Sequence, residues 1–237
     1  MKKSNMIKDA VILCIITLIL GAMLAGVYTI TKKPIEKAQA TSNNKACEAV
    51  IASGDAVKST VSTGEAVKFL SSHDLSNQEV KDGNASEGLL SEFVDILEIH
   101  PTKDEGYVYL ADALKGYGGK ISFALGVDKY GATTGISITS QTETAGLGAK
   151  CEDEDFQKRF VDLYNISETE ELFSKEAPAE EVVTDGEGRD RHLKTQVQAI
   201  TGATVTSRAI TRAVKGILFY HAFHIESMMG EGAANNE

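Results

Sequence analysis

The first feature in the pattern of apolar and polar positions is one unbroken apolar run. From Ala10 to Thr31, AVILCIITLILGAMLAGVYTIT, 22 residues carry no charge. As a helix this run spans about 30 Å, the hydrocarbon thickness of a bilayer. Gly21, Ala22, Ala25 and Gly26 leave small surfaces where another membrane helix can approach, and Tyr28 suits an interface. Pro34 suits the first turn of a new helix, and the Ala-rich residues 35–52 read as helical. Residues 53–90, rich in Ser, Gly, Asn and Asp, read as loosely structured with short helices. LLSEFVDILEI, residues 89–99, returns to helical spacing.

Strand patterns follow. GYVYLADAL and GGKISFALGVD alternate apolar and polar positions, and a turn at Lys129-Tyr130-Gly131 leads into TTGISITS. Together they predict a β-meander with glycine at its turns. EDEDFQKRFVDLYN reads as an amphipathic helix with an acidic first turn. Residues 165–190 are acidic and loop-rich, and HLKTQVQAI holds a last strand. A final helix opens near Thr206 or Ser207. Ala209, Ile210, Ala213, Val214, Ile217 and Leu218 give it a buried stripe. The tail from residue 229 reads as disordered.

Charge sharpens this division. The whole chain of 237 residues carries −10, yet residues 1–31 carry +2. The acidic remainder argues against nucleic acid, which requires a basic face. Lysines flank the apolar run on both sides, so the positive-inside rule favours a cytoplasmic N-terminus only slightly. A cleaved signal is the alternative, since Ala38-Gln39-Ala40 resembles a cleavage site. The run is longer than a signal core and a charged stretch separates it from that site, which favours a retained anchor. Cys14 lies inside the run, without the small residues a lipoprotein signal places before its cysteine. Cys47 and Cys151 are compatible with one disulfide or with two thiols. His221 and His224, at i, i+3 on the last helix, read as core residues rather than metal ligands.

Three local constellations carry candidate chemistry. In QAITGATVTSRAI, residues 198–210, hydroxyls and a glycine gather where a helix begins. Such a place presents unpaired N–H groups and a partial positive charge to an anion. An ordinary helix cap by Thr206 or Ser207 is the plainer reading. GYGGKI, Gly116–Ile121, allows flat approach by a ring, or simply a hairpin turn around a packed tyrosine. TETAGLG, Thr142–Gly148, offers a carboxylate, hydroxyls and glycines after a strand, or a capped connection.

In this order and spacing, GYGGKI, ETAGLGAK and TGATVTSRAI resemble the FMN-binding domain family. That family includes the G subunit of the Rnf complex and the C subunit of the sodium-pumping NADH:quinone reductase. The N-terminal MIKDAVILCIITLILGAMLAGVYTITKKPIEKA is similar to the anchor of the Rnf G subunit. The resemblance covers residues 6–52 and about 105–220. Ala145 stands where the family usually has Pro, and Gln198 where many members have Asp.

The resemblance implies that a flavin transferase esterifies FMN to Thr204, covalently, through the phosphate. It implies that Thr201, Gly202, Ala203, Thr206 and Ser207 surround the phosphate. Tyr117, Gly118, Gly119, Glu143, Thr144, Gly146, Leu147 and Gly148 would line the ribityl chain and ring, with Tyr117 and Leu147 against the ring. No catalytic residue and no metal is expected. The implied role is electron relay in a membrane complex coupling ferredoxin and NAD to Na⁺ or H⁺ translocation. The partners would be the other Rnf subunits and the lipid bilayer. The alternatives are the quinone-reductase C subunit, a stand-alone tethered flavoprotein and an anchored module without redox work. The expected fold is α+β, a twisted antiparallel sheet with flanking helices behind one membrane helix. The expected segments are a cytoplasmic N-terminus (1–9), a span (10–31) and a helical and loop linker (32–90). An extracytoplasmic domain (91–228) and a tail (229–237) follow.

Overall fold

In the computed structural model, which describes residues 3–51, 62–78, 88–164, 172–175, 180–184 and 190–234, the apolar run becomes one helix. Helix α1 covers Lys3–Val50. Its apolar side chains from Val11 to Ile30 are exposed, and it is long and apolar enough to cross a membrane. Pro34 lies inside α1 instead of opening a new helix. Proline there removes the N–H that would bond the Ile30 carbonyl and crowds that carbonyl with its ring. The helix formers Glu36, Lys37, Ala38 and Ala40 carry the helix past it.

The chain divides into two compact units, Met1–Ser42 and Asn43–Glu237. The second contains α2 (Gly64–Ser72) and a four-stranded antiparallel meander, β1 (Val94–Pro101), β2 (Tyr107–Ala113), β3 (Ile121–Val127) and β4 (Thr133–Ser140). After it come the one-turn α3 (Glu154–Gln157) and four short strands, β5 (Phe173–Ser174), β6 (Glu180–Thr184), β7 (Asp190–Lys194) and β8 (Val197–Gln198). Helix α4 (Thr204–Ala234) closes the unit and packs across β1, β2 and β3. Ile210, Ala213, Val214 and Ile217 on its stripe are fully buried in one core with Tyr109, Phe123 and Leu125. The α+β expectation with a meander therefore holds.

The sheet is covered on both faces. Tyr109 and Ala111 of β2 join the main core. Val108 and Leu110 join a second cluster with Ala46, Cys47 and Val50 from the end of α1. All seven residues of β2 are buried as a result, although its alternation predicted one polar face. The α1 end comes close because Gly126 has no side chain. A Cβ there would stand 2.3 Å from the Val50 carbonyl oxygen, which also accepts a hydrogen bond from Thr134 Oγ1. Cys47 thus lies in the outer cluster and Cys151 in the main core, and both are free thiols. Burial pushes Cys47 up to about 11 and Cys151 up to about 12.

Two expected helices fold otherwise. Residues 89–99 form a 3-10 turn, Leu90–Glu92, and then β1. A bulge between Ile96 and Glu98 places Val94, Ile96 and Ile99 on the buried side at i, i+2 and i+5. The bulge thus gives Ile96 and Ile99 a three-residue step, one that a helix also makes. Of the expected helix 152–165, the described residues 152–164 break into α3 and 3-10 turns. The chain leaves helical geometry at Val161, which is extended, and turns at Asp162 (φ 58°), where Thr133 on β4 captures it. Asp162 N–H donates to the Thr133 carbonyl and Thr133 N–H to the Leu163 carbonyl.

Between residues 53 and 90, α2 buries Ala66, Phe69 and Leu70, while 52–61 and 79–87 lie outside the described residues. Much of the stretch expected as acidic loop, 165–190, also lies outside them; β6 and β7 pair as a hairpin. Helix α4 continues past residue 229 to Ala234.

Candidate functional site

Sheet topology collects the motifs. Strands β2 and β4 run the same way on either side of β3, so the loops after them, 114–120 and 141–147, leave the same end of the sheet. Helix α4 crosses the sheet, and its first turn contacts the 3-10 turn Gly148–Glu152 that follows the second loop. Arg159 holds the approach to α4, its Nη1 donating to the Gln198 carbonyl at 2.8 Å and the Ala199 carbonyl at 3.3 Å.

The second and third motifs each make the same tight turn. Leu147 N–H donates to the Thr144 carbonyl (3.1 Å) around Gly146 at φ 76°. Ala203 N–H donates to the Ile200 carbonyl (3.0 Å) around Gly202 at φ 80°. A positive φ at the third position is the type II arrangement, which favours glycine there and proline before it. Ala145 occupies that preceding position. The turns adjoin, since a Cβ on Gly202 would meet Leu147 Cδ2 at 3.3 Å.

One carboxylate joins all three motifs. Glu143 is 8% exposed. Its Oε1 accepts from Gly118 N–H at 2.8 Å and its Oε2 from Thr206 Oγ1 at 2.5 Å. Thr142 Oγ1 adds a bond to the Gly118 carbonyl at 2.9 Å. Gly148 lies against this arrangement, and a Cβ on it would stand 2.5 Å from both Glu143 Oε2 and Thr206 Oγ1. The glycines therefore serve close packing around Glu143 as well as turn geometry.

Beside the clasp opens a cavity of about 400 Å³. Of the sequence-predicted residues, Tyr117, Glu143, Thr144, Leu147, Gly148, Gly202, Ala203, Thr204 and Thr206 line it. Gly118, Gly119, Gly146, Thr201 and Ser207 do not. Val205, half exposed, lines it and was missed, because an apolar residue between two threonines carries no chemical flag. The helix begins two to three residues earlier than its expected cap: Ser207 N–H already bonds the Ala203 carbonyl at 3.0 Å. Thr206 and Ser207 turn inward. The Ser207 hydroxyl accepts from Ile200 N–H (2.9 Å) and donates to the Ala203 carbonyl (3.0 Å). The Thr206 hydroxyl is committed to Glu143. Thr204 is exposed at the first position of α4. Helix geometry leaves the N–H groups of Thr204, Val205 and Thr206 without partners inside the helix.

The site therefore offers an open hydroxyl, main-chain donors with a helix dipole behind them, and flanking apolar surface from Tyr117 (74% exposed), Leu147 (46%) and Val205 (51%). Among the described residues, no His, Cys, Lys or Arg lines the cavity. The histidine pair sits in the core, with His221 Nδ1 and Tyr109 Oη hydrogen-bonded at 2.8 Å. His224 lies near Tyr107 and Tyr220.

Comparison with known proteins places this geometry. The FMN-binding domain family matches residues 116–218, and the RnfG N-terminal region matches residues 1–50. The G subunit of the proton-translocating ferredoxin:NAD(+) oxidoreductase complex of Clostridium ljungdahlii is 37% identical over 113 residues, covering 48% of this chain and 51% of that one. The G subunit of the Na(+)-translocating ferredoxin:NAD(+) oxidoreductase complex of Acetobacterium woodii is 32% identical over 124 residues, covering 51% and 53%. The chain spans about half the length of these curated relatives. The C subunit of the Na(+)-translocating NADH-quinone reductase from Parabacteroides distasonis superposes with a TM-score of 0.42 at 15% identity. That alignment covers 79% of this chain and 96% of that structure, a likeness too loose to carry an argument. Residues 116–218 are thus similar to the FMN-binding domain family, and residues 1–50 to the RnfG N-terminal region.

Proposed function

We propose that Thr204 carries FMN through a phosphoester bond, and that the chain relays electrons in a membrane complex of the ferredoxin:NAD oxidoreductase kind. The observation that carries the attachment reading is the contrast between Thr204 and Thr206. Thr204 is exposed on the cavity wall, whereas Thr206 is 1% exposed and hydrogen-bonded to Glu143. A flavin transferase that presents FAD can reach only the former of the two.

The residues fit the group. A phosphate on Thr204 Oγ1 lies at the N-terminus of a 31-residue helix, next to main-chain N–H donors and a favourable dipole. Thr206 and Ser207 supply backbone there, not hydroxyls. Tyr117 and Leu147 offer apolar surface to a flat ring. When bound, FMN supplies electron transfer in one- and two-electron steps. The chain's own part is to fix the cofactor near its partners and prevent its loss by dissociation.

The wider role draws on the relatives' names and on α1. In this reading residues 10–31 cross the membrane, 1–9 are cytoplasmic, 32–90 connect, 91–228 form the flavin domain on the extracytoplasmic face and 229–237 form the tail. The other Rnf-type subunits and the lipid bilayer are the partners, and a flavin transferase matures the protein. The test is co-expression of the full chain with a flavin transferase, followed by a denaturing gel under ultraviolet light. Wild type and Thr206→Val should give a fluorescent band, and Thr204→Val none. Fluorescence in Thr204→Val would overturn the attachment reading.

A further inference from the structure

Among the described residues lining the cavity, Glu143 alone carries charge. Its carboxylate is buried, and each oxygen accepts one hydrogen bond from a neutral donor, Gly118 N–H or the Thr206 hydroxyl. Both bonds are ones that an ionised carboxylate can accept. Neutral donors hold such a charge in place without cancelling it. Glu143 is itself only 8% exposed, so its field is screened less than that of a surface carboxylate.

Two-electron reduction of a flavin near neutral pH takes up two electrons and one proton, so the ring gains one negative charge. A fixed anion in the cavity wall opposes that gain. Resting on the flavin reading above, we propose that Glu143 is a positioning residue that also holds the flavin's reduction potential down. It clasps the three motifs and keeps a negative charge, held by neutral donors, in the cavity wall.

The two roles separate experimentally. In Glu143→Gln the amide oxygen can still accept from Gly118 N–H, and the amide nitrogen can donate to Thr206 Oγ1. The clasp stays and the charge goes. Thr206→Val acts in the opposite sense, removing one O–H dipole from beside the charge. Glu105→Gln is the control. Glu105 precedes β2, and the seven residues of that strand, about 20 Å, separate it from the Gly116 loop.

The full chain is purified in detergent after co-expression with a flavin transferase. Peptide mass locates the flavin, and the midpoint potential is read against reference dyes with a chemical reductant. Glu143→Gln should favour the reduced flavin at least tenfold over wild type, a rise of about 30 mV for a two-electron couple. Thr206→Val should fall below wild type, and Glu105→Gln should match it. Equal potentials in Glu143→Gln and wild type would overturn the proposal. If Glu143→Gln takes no flavin, Thr206→Val decides: a potential at or above wild type overturns the proposal. Flavin on a residue other than Thr204 overturns the attachment reading, and the potentials still decide this one. Wild type without any flavin overturns both.

Discussion

Adding one methyl group to Gly148 tests the clasp without replacing any of its polar atoms. An ideal Cβ there stands 2.5 Å from Glu143 Oε2, 2.5 Å from Thr206 Oγ1 and 2.9 Å from Glu143 Cβ, where ordinary contact begins near 3.4 Å. Neither neighbour can yield cheaply. The Glu143 carboxylate is pinned by Gly118 N–H, and Thr206 sits in the first turn of α4. Overpacking of this kind costs about 1–3 kcal/mol. If the Glu143–Thr206 bond breaks to relieve it, a buried acceptor loses its donor, for about 1–3 kcal/mol more. The sum, about 2–6 kcal/mol, lowers the melting temperature of a domain this size by roughly 5–20 °C. Calorimetry of the full chain in detergent, Gly148→Ala against wild type, reads this directly. A melting temperature within about 1 °C of wild type would refute the close packing of Gly148 on the carboxylate.

Two further predictions have other origins. Ala145→Pro should stabilise the same domain by up to about 1 kcal/mol, because proline suits the second position of the type II turn and restricts the unfolded chain; a lower melting temperature would contradict the turn assignment. Burial pushes His221 down from 6.5 to about 4. The folded value lies below the unfolded one, so the unfolded chain binds the proton first. The His221 contribution is therefore intact above pH 6.5 and is lost as pH falls toward 4, by about 3 kcal/mol in all. Urea titrations across that window should show the decline, and His221→Gln should flatten it.

Much of the site could be read from the sequence because its residues act through the main chain. Glycine, threonine and the start of a helix are local signals, and the order GYGG, ETAGLG, TGATVTS marks the cavity wall along the chain. Side-chain direction was not legible. That Thr206 and Ser207 turn inward depends on where α4 starts and on Glu143, which is 63 residues away from Thr206 in sequence. Arg159, which holds the approach to α4, gave no signal for the same reason. The meander was legible from alternation and turn glycines. β1 was not, because its bulge produced a helix-like spacing. Residues 152–165 have helical spacing too, and lose it to pairing with Thr133 on a strand nearly 30 residues earlier. The full burial of β2 needed the end of α1 against the sheet's outer face, a contact across more than 50 residues.

The central claim concerns one hydroxyl, and the tryptic peptide Thr195–Arg208 contains it. Protein purified from its native membrane, digested and fragmented in a mass spectrometer, should yield this peptide bearing FMN, with the added mass on Thr204. The same peptide recovered unmodified, or bearing the flavin on Thr201 or Thr206, would contradict the account.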